Sequence, residues 1–143
     1  MIRWCRATSH NLPCPLVATR HSAGFDLPAA EQVILAPGST KTIRTGWRVA
    51  IPPGWVGLVR GRSGLAFHHR IYCTEGTVDA DYRGEVSVQL RNDGYTTMRI
   101  EAGDRIAQLV VSPCLTLSTE VDTLDDTDRG ANGFGSTGCP SAA

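Results

Sequence analysis

Residues 45–60 read Thr45-Gly46-Trp47-Arg48-Val49-Ala50-Ile51-Pro52-Pro53-Gly54-Trp55-Val56-Gly57-Leu58-Val59-Arg60 and carry the strongest fold signal in the chain. Every second position from 45 to 51 holds a side chain suited to one buried face, which predicts a β-strand. The Pro-Pro-Gly turn then ends that strand, and positions 55–60 predict a second one. Two strands joined by a tight turn are typical of an antiparallel, all-β protein.

The same pattern continues on the C-terminal side. Val86, Val88 and Leu90 alternate with polar residues before the turn at 92–94, and the segments 96–100 and 105–111 predict two more strands. Helical periodicity is nearly absent, apart from one or two turns that begin at Ser63, whose hydroxyl we expect to cap the helix. We therefore predict an all-β fold, a β-sandwich or distorted jelly-roll barrel.

Composition limits the classes of protein. The chain has 143 residues, 14 basic and 14 acidic, with a formal net charge of zero. Neutrality argues against a general nucleic-acid binder of the basic-patch kind. No apolar run approaches the roughly 20 residues that cross a bilayer, and no apolar segment follows the basic N-terminus. We therefore expect a cytoplasmic protein with neither a membrane nor a nucleic acid as direct partner.

The C-terminal part differs from the rest. An acidic stretch covers 120–128, and the glycine-rich tail that begins at Arg129 has nothing to anchor it in a core. We predict one β-barrel domain over 1–128 and a flexible arm over 129–143. The five cysteines have no Cys-x-x-Cys spacing, which disfavours a zinc site or a disulfide scaffold.

One segment has the composition of a phosphate site. In Gly61-Arg62-Ser63-Gly64-Leu65-Ala66, a guanidinium, a hydroxyl and main-chain amides are expected to converge on one anion. A capped glycine turn explains the segment equally well on its own. The Gly-rich tail, 129–138, has the composition of a phosphate-wrapping segment with one aromatic ring for a base, although a disordered linker is the more usual meaning.

Two further segments contain polar groups that packing does not require. Residues 76–86 form a hairpin-like segment in which Asp79 follows apolar Val78, so we expect partial burial of a carboxylate that would suit a general base. Residues 103–110 lead from a turn into a strand that carries Gln108. There we expect a structural ion pair between Asp104 and an arginine.

Taken together with Ala23-Gly24-Phe25-Asp26-Leu27, these segments resemble the five ordered motifs of the trimeric, all-β dUTP diphosphatase (dUTPase) family. The motifs are 23–27, 62–66, 76–86, 103–110 and 129–138, and they occur here in the family's order. A single Arg-Ser-Gly would be weak support, whereas five motifs in order make a chance match improbable.

The resemblance implies a reaction. Water attacks the α-phosphorus of dUTP to give dUMP and diphosphate, with Mg²⁺ on the triphosphate, which limits uracil in DNA and supplies dUMP for dTMP synthesis. Asp79 is implied to orient and deprotonate the water, and Asp26 to hold the metal through a coordinated water. The family also implies a homotrimer whose active sites are shared between subunits.

The resemblance also implies the substrate contacts. The phosphates are assigned to Arg62, Ser63, Gly64 and Gln108. The uracil pocket is assigned to Cys73 and the segment Gly76, Thr77, Val78, Asp79 and Tyr82, with Ser87 across the hairpin and the ring of Tyr82 under the sugar. The arm is assigned Phe134 on uracil, with Arg129, Gly135, Ser136 and Thr137 on the β- and γ-phosphates.

Three departures from the family pattern stand out, namely Gly61 in place of the usual proline, Thr77 in place of an aliphatic residue and Cys73 where some bacterial relatives have asparagine. Three other functions remain as alternatives. One is a dCTP deaminase of the same fold, another is a nucleotide-controlled module that regulates a protein partner, and the third is a structural jelly-roll protein.

Overall fold

The computed structural model describes residues 1–132. That part of the chain contains ten strands and one short helix, which confirms the all-β prediction. In chain order the elements are β1 (Arg3–Arg6), β2 (Gly24–Pro28), β3 (Val33–Leu35), β4 (Thr40–Ala50), β5 (Trp55–Arg60), α1 (Ser63–His69), β6 (Ile71–Cys73), β7 (Gly76–Val78), β8 (Glu85–Asn92), β9 (Met98–Ile100) and β10 (Arg105–Pro113).

The strands form two four-stranded antiparallel sheets and one small ribbon. One sheet has the order β1-β4-β8-β6, the other has the order β2-β10-β5-β7, and β3 pairs with β9. Alternation in the sequence decides which faces are buried. Val86, Val88 and Leu90 are almost fully buried, and the residues between them are exposed, as the sequence pattern predicted. The apolar core therefore lies between the inner faces of the two larger sheets.

A bulge interrupts β4 between Arg44 and Arg48. Gly46 adopts the positive φ of 78° that favours glycine, and its N–H donates to Oε1 of Glu85 at 2.8 Å. The buried hydroxyl of Thr45 donates to the carbonyl of Val86 at 2.7 Å. Side chains from β4 and β8 thus replace the ladder hydrogen bonds that the bulge removes.

Two local predictions were wrong. The N-cap of α1 is Arg62, with φ −103° and ψ 130°, so Ser63 is the first helical residue and its side chain makes no capping hydrogen bond. Residues 76–86 do not form a regular hairpin, because β7 pairs with β5, whereas β8 pairs with β4 and β6. Each strand of that segment therefore belongs to a different sheet.

Candidate active site

Strand β10 brings three of the predicted motifs side by side. Gln108 on β10 lies opposite Asp26 on β2 and, on its other edge, opposite Arg60 at the end of β5. Gly61 and Arg62 follow directly and lead into α1. The antiparallel register of β2, β10 and β5 therefore places motifs at about 25, 62 and 108 in the sequence next to one another in space.

Asp26 lies between two arginines. Its Oδ2 accepts a hydrogen bond from Nη1 of Arg105 at 3.1 Å, and its Oδ1 lies 3.5 Å from Nε of Arg62. Nη1 of Arg62 also donates to the main-chain carbonyl of Arg105 at 2.9 Å. The side chain of Asp26 is only 16% exposed, so this pairing compensates a largely buried carboxylate. Part of the Arg62 guanidinium is thus held by the chain itself.

A cavity of about 430 Å³ opens beside this cluster, and we call it the phosphate cavity. Nε2 of Gln108 donates to the carbonyl of Gly61 at 3.2 Å, which fixes the amide on the cavity wall. Gly24 is required there, because a Cβ at that position would lie 2.9 Å from Oε1 of Gln108. The predicted site residues that line the cavity are Asp26, Arg62, Ser63, Gly64 and Gln108.

The phosphate cavity suits a cation held mainly by substrate and water. Asp26 is its only acidic lining residue, and within residues 1–132 no group of three His, Cys, Asp or Glu side chains is arranged to hold a metal ion. Mg²⁺ keeps several waters and commonly binds through one or two carboxylates together with substrate phosphates. A single carboxylate beside a cavity that is large enough for several phosphate groups fits that mode and does not form an all-protein cage.

Asp79 occupies a separate place. It begins a turn closed by the hydrogen bond from the N–H of Tyr82 to the carbonyl of Asp79, at 3.1 Å. The carboxylate is exposed, so the expected partial burial is wrong for the single chain. Asp79 and Asp81 line a second cavity of about 590 Å³, together with Trp55 and the segment around Cys114. The residues that line this cavity do not include Asp26 or Arg62.

The ring of Tyr82 packs tightly on the main chain. Its hydroxyl donates to the carbonyl of Glu85 at 3.1 Å. A Cβ on Gly84 would lie 2.2 Å from that hydroxyl, so only glycine permits this ring position. Arg83 reinforces the turn by donating to the carbonyls of Ala80 and Tyr82 at 2.8 and 2.7 Å. We call residues 79–84 the nucleoside turn.

The other residues assigned to the uracil pocket are dispersed over both large sheets. Gly76, Thr77 and Val78 form β7, and the side chain of Val78 is buried. Ser87 is exposed on β8, where it lies opposite Arg44 of β4, and so it does not lie across a hairpin from β7. In the single chain these residues do not form one enclosed pocket with Asp79.

Two of the departures from the family pattern are neighbours. A Cβ on Gly61 would lie 3.3 Å from the Cβ of Cys73, so glycine leaves just enough room for the cysteine. Burial raises the pKa of the Cys73 thiol, and its Sγ donates to the carbonyl of Thr74 at 3.2 Å. The phosphate motif and the residue assigned to the base pocket therefore touch at this point.

The arm lies mostly beyond the described part of the chain. Arg129 is exposed and its Nε donates to the carbonyl of Asn132 at 2.9 Å. The arm residues that the resemblance assigns to the nucleotide lie outside the described residues, as does most of the predicted 129–143 segment; they are Phe134, Gly135, Ser136 and Thr137.

The sequence did not indicate the second arginine that pairs with Asp26, nor two of the residues that line the phosphate cavity. Asp104 accepts a hydrogen bond from the N–H of Glu101 at 2.8 Å and has no ion pair within residues 1–132. Its neighbour Arg105 makes the ion pair instead, with Asp26. His68 and His69 also line the phosphate cavity, although nothing in their spacing indicated it. No local pattern in the sequence indicates that Arg105 will meet Asp26, because the two residues are 79 positions apart.

Comparison with known proteins identifies close relatives. A family model described as dUTPase matches residues 10–138. The deoxyuridine 5'-triphosphate nucleotidohydrolase of Zymomonas mobilis is 51% identical over 131 residues, which cover 90% of each chain. The enzyme of the same name from Ehrlichia canis is 48% identical over 145 residues, which cover 96% of this chain and 95% of the relative.

Solved structures agree with these matches. A variant of the Staphylococcus bacteriophage 80alpha dUTPase with dUpNHpp superimposes with a TM-score of 0.90 at 29% identity, covering 97% of this chain and 99% of that one. A variant dUTPase from phage phi11 of S. aureus, described with a structural Mg(II) ion, gives a TM-score of 0.80 at 28% identity over 86% of this chain and 97% of that one.

Proposed function

The chain belongs to the dUTPase family, and we propose that it hydrolyses dUTP to dUMP and diphosphate through a water molecule activated by Asp79. The observation that carries the proposal is the register of β2, β10 and β5, which unites Asp26, Arg62 and Gln108 around one cavity of about 430 Å³. No helix in residues 1–132 is both long and apolar enough to span a bilayer.

The phosphate cavity would hold the triphosphate. Arg62 can offer its remaining N–H donors, and Ser63 supplies an exposed hydroxyl. Gln108 has its Nε2 engaged with Gly61, which leaves Oε1 free to orient water. When bound, Mg²⁺ would neutralise phosphate charge and polarise the bond that breaks. Asp26 would hold a water of its coordination shell, in competition with Arg105 and Arg62.

The nucleoside turn would supply both the general base, Asp79, and the contact with the sugar. An exposed carboxylate is accessible to water, and Asp79 would take the proton as the oxygen attacks the α-phosphorus, with diphosphate as the leaving group. The packed ring of Tyr82 would lie against deoxyribose and exclude a ribose 2′-hydroxyl. Main-chain groups of 76–78, with Cys73 and Ser87, would read the uracil edge, so a cytosine would leave polar groups unpaired.

We further propose a homotrimer with shared active sites. The nucleoside turn lines a cavity different from the phosphate cavity of the same chain. A second chain would therefore be needed to bring the turn and the phosphate cavity together. The arm, 129–143, would come from a third chain and close over the nucleotide, with Phe134 on the base and Arg129, Gly135, Ser136 and Thr137 on the phosphates. The reaction would take place in the cytoplasm, where it would limit uracil in DNA and supply dUMP for dTMP synthesis.

The deciding experiment measures release of diphosphate and of ammonia from dUTP, dTTP, dCTP and UTP, with and without Mg²⁺. We expect diphosphate from dUTP alone, and only with the metal. Ammonia from dCTP would identify a deaminase of the same fold. Tight binding of dUTP without turnover would favour a nucleotide-controlled regulatory module instead.

A further inference from the structure

The carboxylate of Glu85 joins the nucleoside turn to the bulge in β4. Oε2 accepts hydrogen bonds from Nε and Nη2 of Arg44 at 3.0 and 2.8 Å. Oε1 accepts the N–H of Gly46 at 2.8 Å. Both oxygens are therefore engaged, and the side chain is only 17% exposed. Such a carboxylate is held in one orientation because leaving it unpaired would be costly.

The main chain of Glu85 faces the other way and holds the nucleoside turn. Its carbonyl accepts the hydroxyl of Tyr82 at 3.1 Å, and Gly84 beside it leaves room for the ring. Tyr82 in turn closes the bend that begins at Asp79. A shift of Glu85 would therefore move the groups assigned to the sugar and to the attacking water together.

The bulge itself is fixed from the opposite side. The carbonyl of Gly46 accepts the N–H of Ala7 at 2.7 Å and lies 2.8 Å from Nε2 of His10. Nδ1 of His10 accepts the N–H of Leu12 at 3.2 Å, so Nε2 carries the proton and donates to Gly46. A Cβ on Gly46 would lie 2.7 Å from that imidazole. The anchor that Glu85 reaches is thus rigid.

We propose that Glu85 is a positioning residue for dUTP hydrolysis, which fixes Tyr82 and Asp79 relative to β4 without touching the substrate. The proposal rests on the proposed function. Its physical basis is that a displacement of about 1 Å at reacting groups costs up to about a hundredfold in rate. Sugar selectivity is the most sensitive property, because it depends on the position of one packed ring.

The test compares Glu85→Gln with Glu101→Gln, in the full-length protein. Glutamine keeps the size of the side chain and one oxygen to accept the N–H of Gly46. It loses the negative charge, however, and places an N–H₂ group where Arg44 needs an acceptor. Glu101 is also paired with an arginine, Arg99, but its side chain is more exposed, at 50%, and among the described residues it makes no hydrogen bond to the nucleoside turn. The measurements are kcat and KM for dUTP and for UTP, with melting temperatures to establish that each variant is folded at the assay temperature.

We expect Glu85→Gln to lower kcat for dUTP by roughly tenfold and to lower the dUTP-over-UTP preference in kcat/KM by a similar factor. Arg44→Met should act in the same direction, and Glu101→Gln should match the unmodified protein. A folded Glu85→Gln variant with unchanged kcat and unchanged preference would overturn the proposal. If the unmodified protein itself releases no diphosphate from dUTP, the proposed function fails instead, so the two failures are distinguishable.

Discussion

The phosphate cavity and the nucleoside turn differ in how complete they are within one chain. The cavity is assembled by strand register, and its charged groups already bind one another, as Asp26 does with Arg62 and Arg105. The turn is equally well fixed, through Tyr82 and Glu85, but Asp79 faces solvent and not the cavity. A segment whose conformation is well fixed therefore need not belong to a complete site within one chain, because motifs that act together need not meet in one subunit.

The largest expected effect comes from removing the proposed general base of the nucleoside turn. Asp79→Asn should lower kcat by about 10²- to 10⁴-fold, because an amide cannot accept the proton of the attacking water. Binding of a non-hydrolysable dUTP analogue should remain near that of the unmodified protein. Single-turnover kinetics and calorimetry would measure the two effects. Asp81→Asn, two positions further along the same exposed turn, is the matched control, and an equal loss there would show that the effect is one of local charge.

A mixing experiment tests whether the two regions meet between chains. Arg62→Ala damages the cavity, and Asp79→Asn damages the turn, so each variant alone should be nearly inactive. Refolding them together in equal amounts should restore about a quarter of full activity, because half of the cavities and half of the turns are intact and combine at random. Mixing the folded variants without exchange is the control. No recovery after refolding would mean that both regions act within one chain.

Removing the arm tests the third contribution. A chain that ends before Gly130 should lose roughly a hundredfold in kcat/KM for dUTP, because the β- and γ-phosphates lose their proposed closing contacts. The melting temperature should stay unchanged, since the core residues all precede 110. Activity assays and thermal denaturation of the same preparation would measure both. Full activity in the shortened chain would contradict a closing arm.

Asp26→Asn should weaken the binding of Mg²⁺ and leave the rate of the chemical step at saturating Mg²⁺ nearly unchanged. The neutral side chain holds a hydrated cation less well, so the Mg²⁺ concentration for half-maximal activity should rise by about tenfold. At saturating Mg²⁺ most of kcat should return. Asp93→Asn, a surface carboxylate paired with Arg91, is the control. An unchanged Mg²⁺ dependence in Asp26→Asn would remove this carboxylate from the metal site.

The smallest expected effect concerns Cys73, which is assigned to the base pocket and lies beside Gly61 of the phosphate motif. Because burial raises the pKa of Cys73, less of it is thiolate at pH 8, and alkylation should be slower than at exposed Cys5. The rate at Cys73 should rise with pH as its thiol ionises, and dUMP should slow the reaction at the proposed base pocket. Mass spectrometry of partially alkylated protein gives both rates in one sample. Equal rates at the two cysteines would contradict the buried environment.

Much of the fold was predictable because it is encoded in local alternation. Thr45, Trp47, Val49 and Ile51 are all buried, as their spacing indicated. The three-residue strands β3 and β6 were not predicted, since so few residues carry no readable period, whereas β9 lies within the predicted segment 96–100.

The site divides in the same way. Motif order identified Asp26, Arg62 and Gln108, which the structure brings together, whereas the partner of Asp26 was missed. Arg105 is 79 positions away, and nothing local in the sequence indicates which arginine a carboxylate will meet. The exposure of Asp79 was also unpredictable, because it depends on where β7 and β8 separate into different sheets.

The pairing of β2 with β10 has a kinetic consequence. It joins segments 79 positions apart, so a large loop must close before Asp26 can meet Arg105. Antiparallel folds dominated by such distant pairings fold slowly, because the entropy of closure is lost before the contacts are gained. During refolding, the phosphate cavity should therefore be among the last features to appear. Recovery of nucleotide binding would then report completion of the whole barrel, while strand formation by circular dichroism would come earlier.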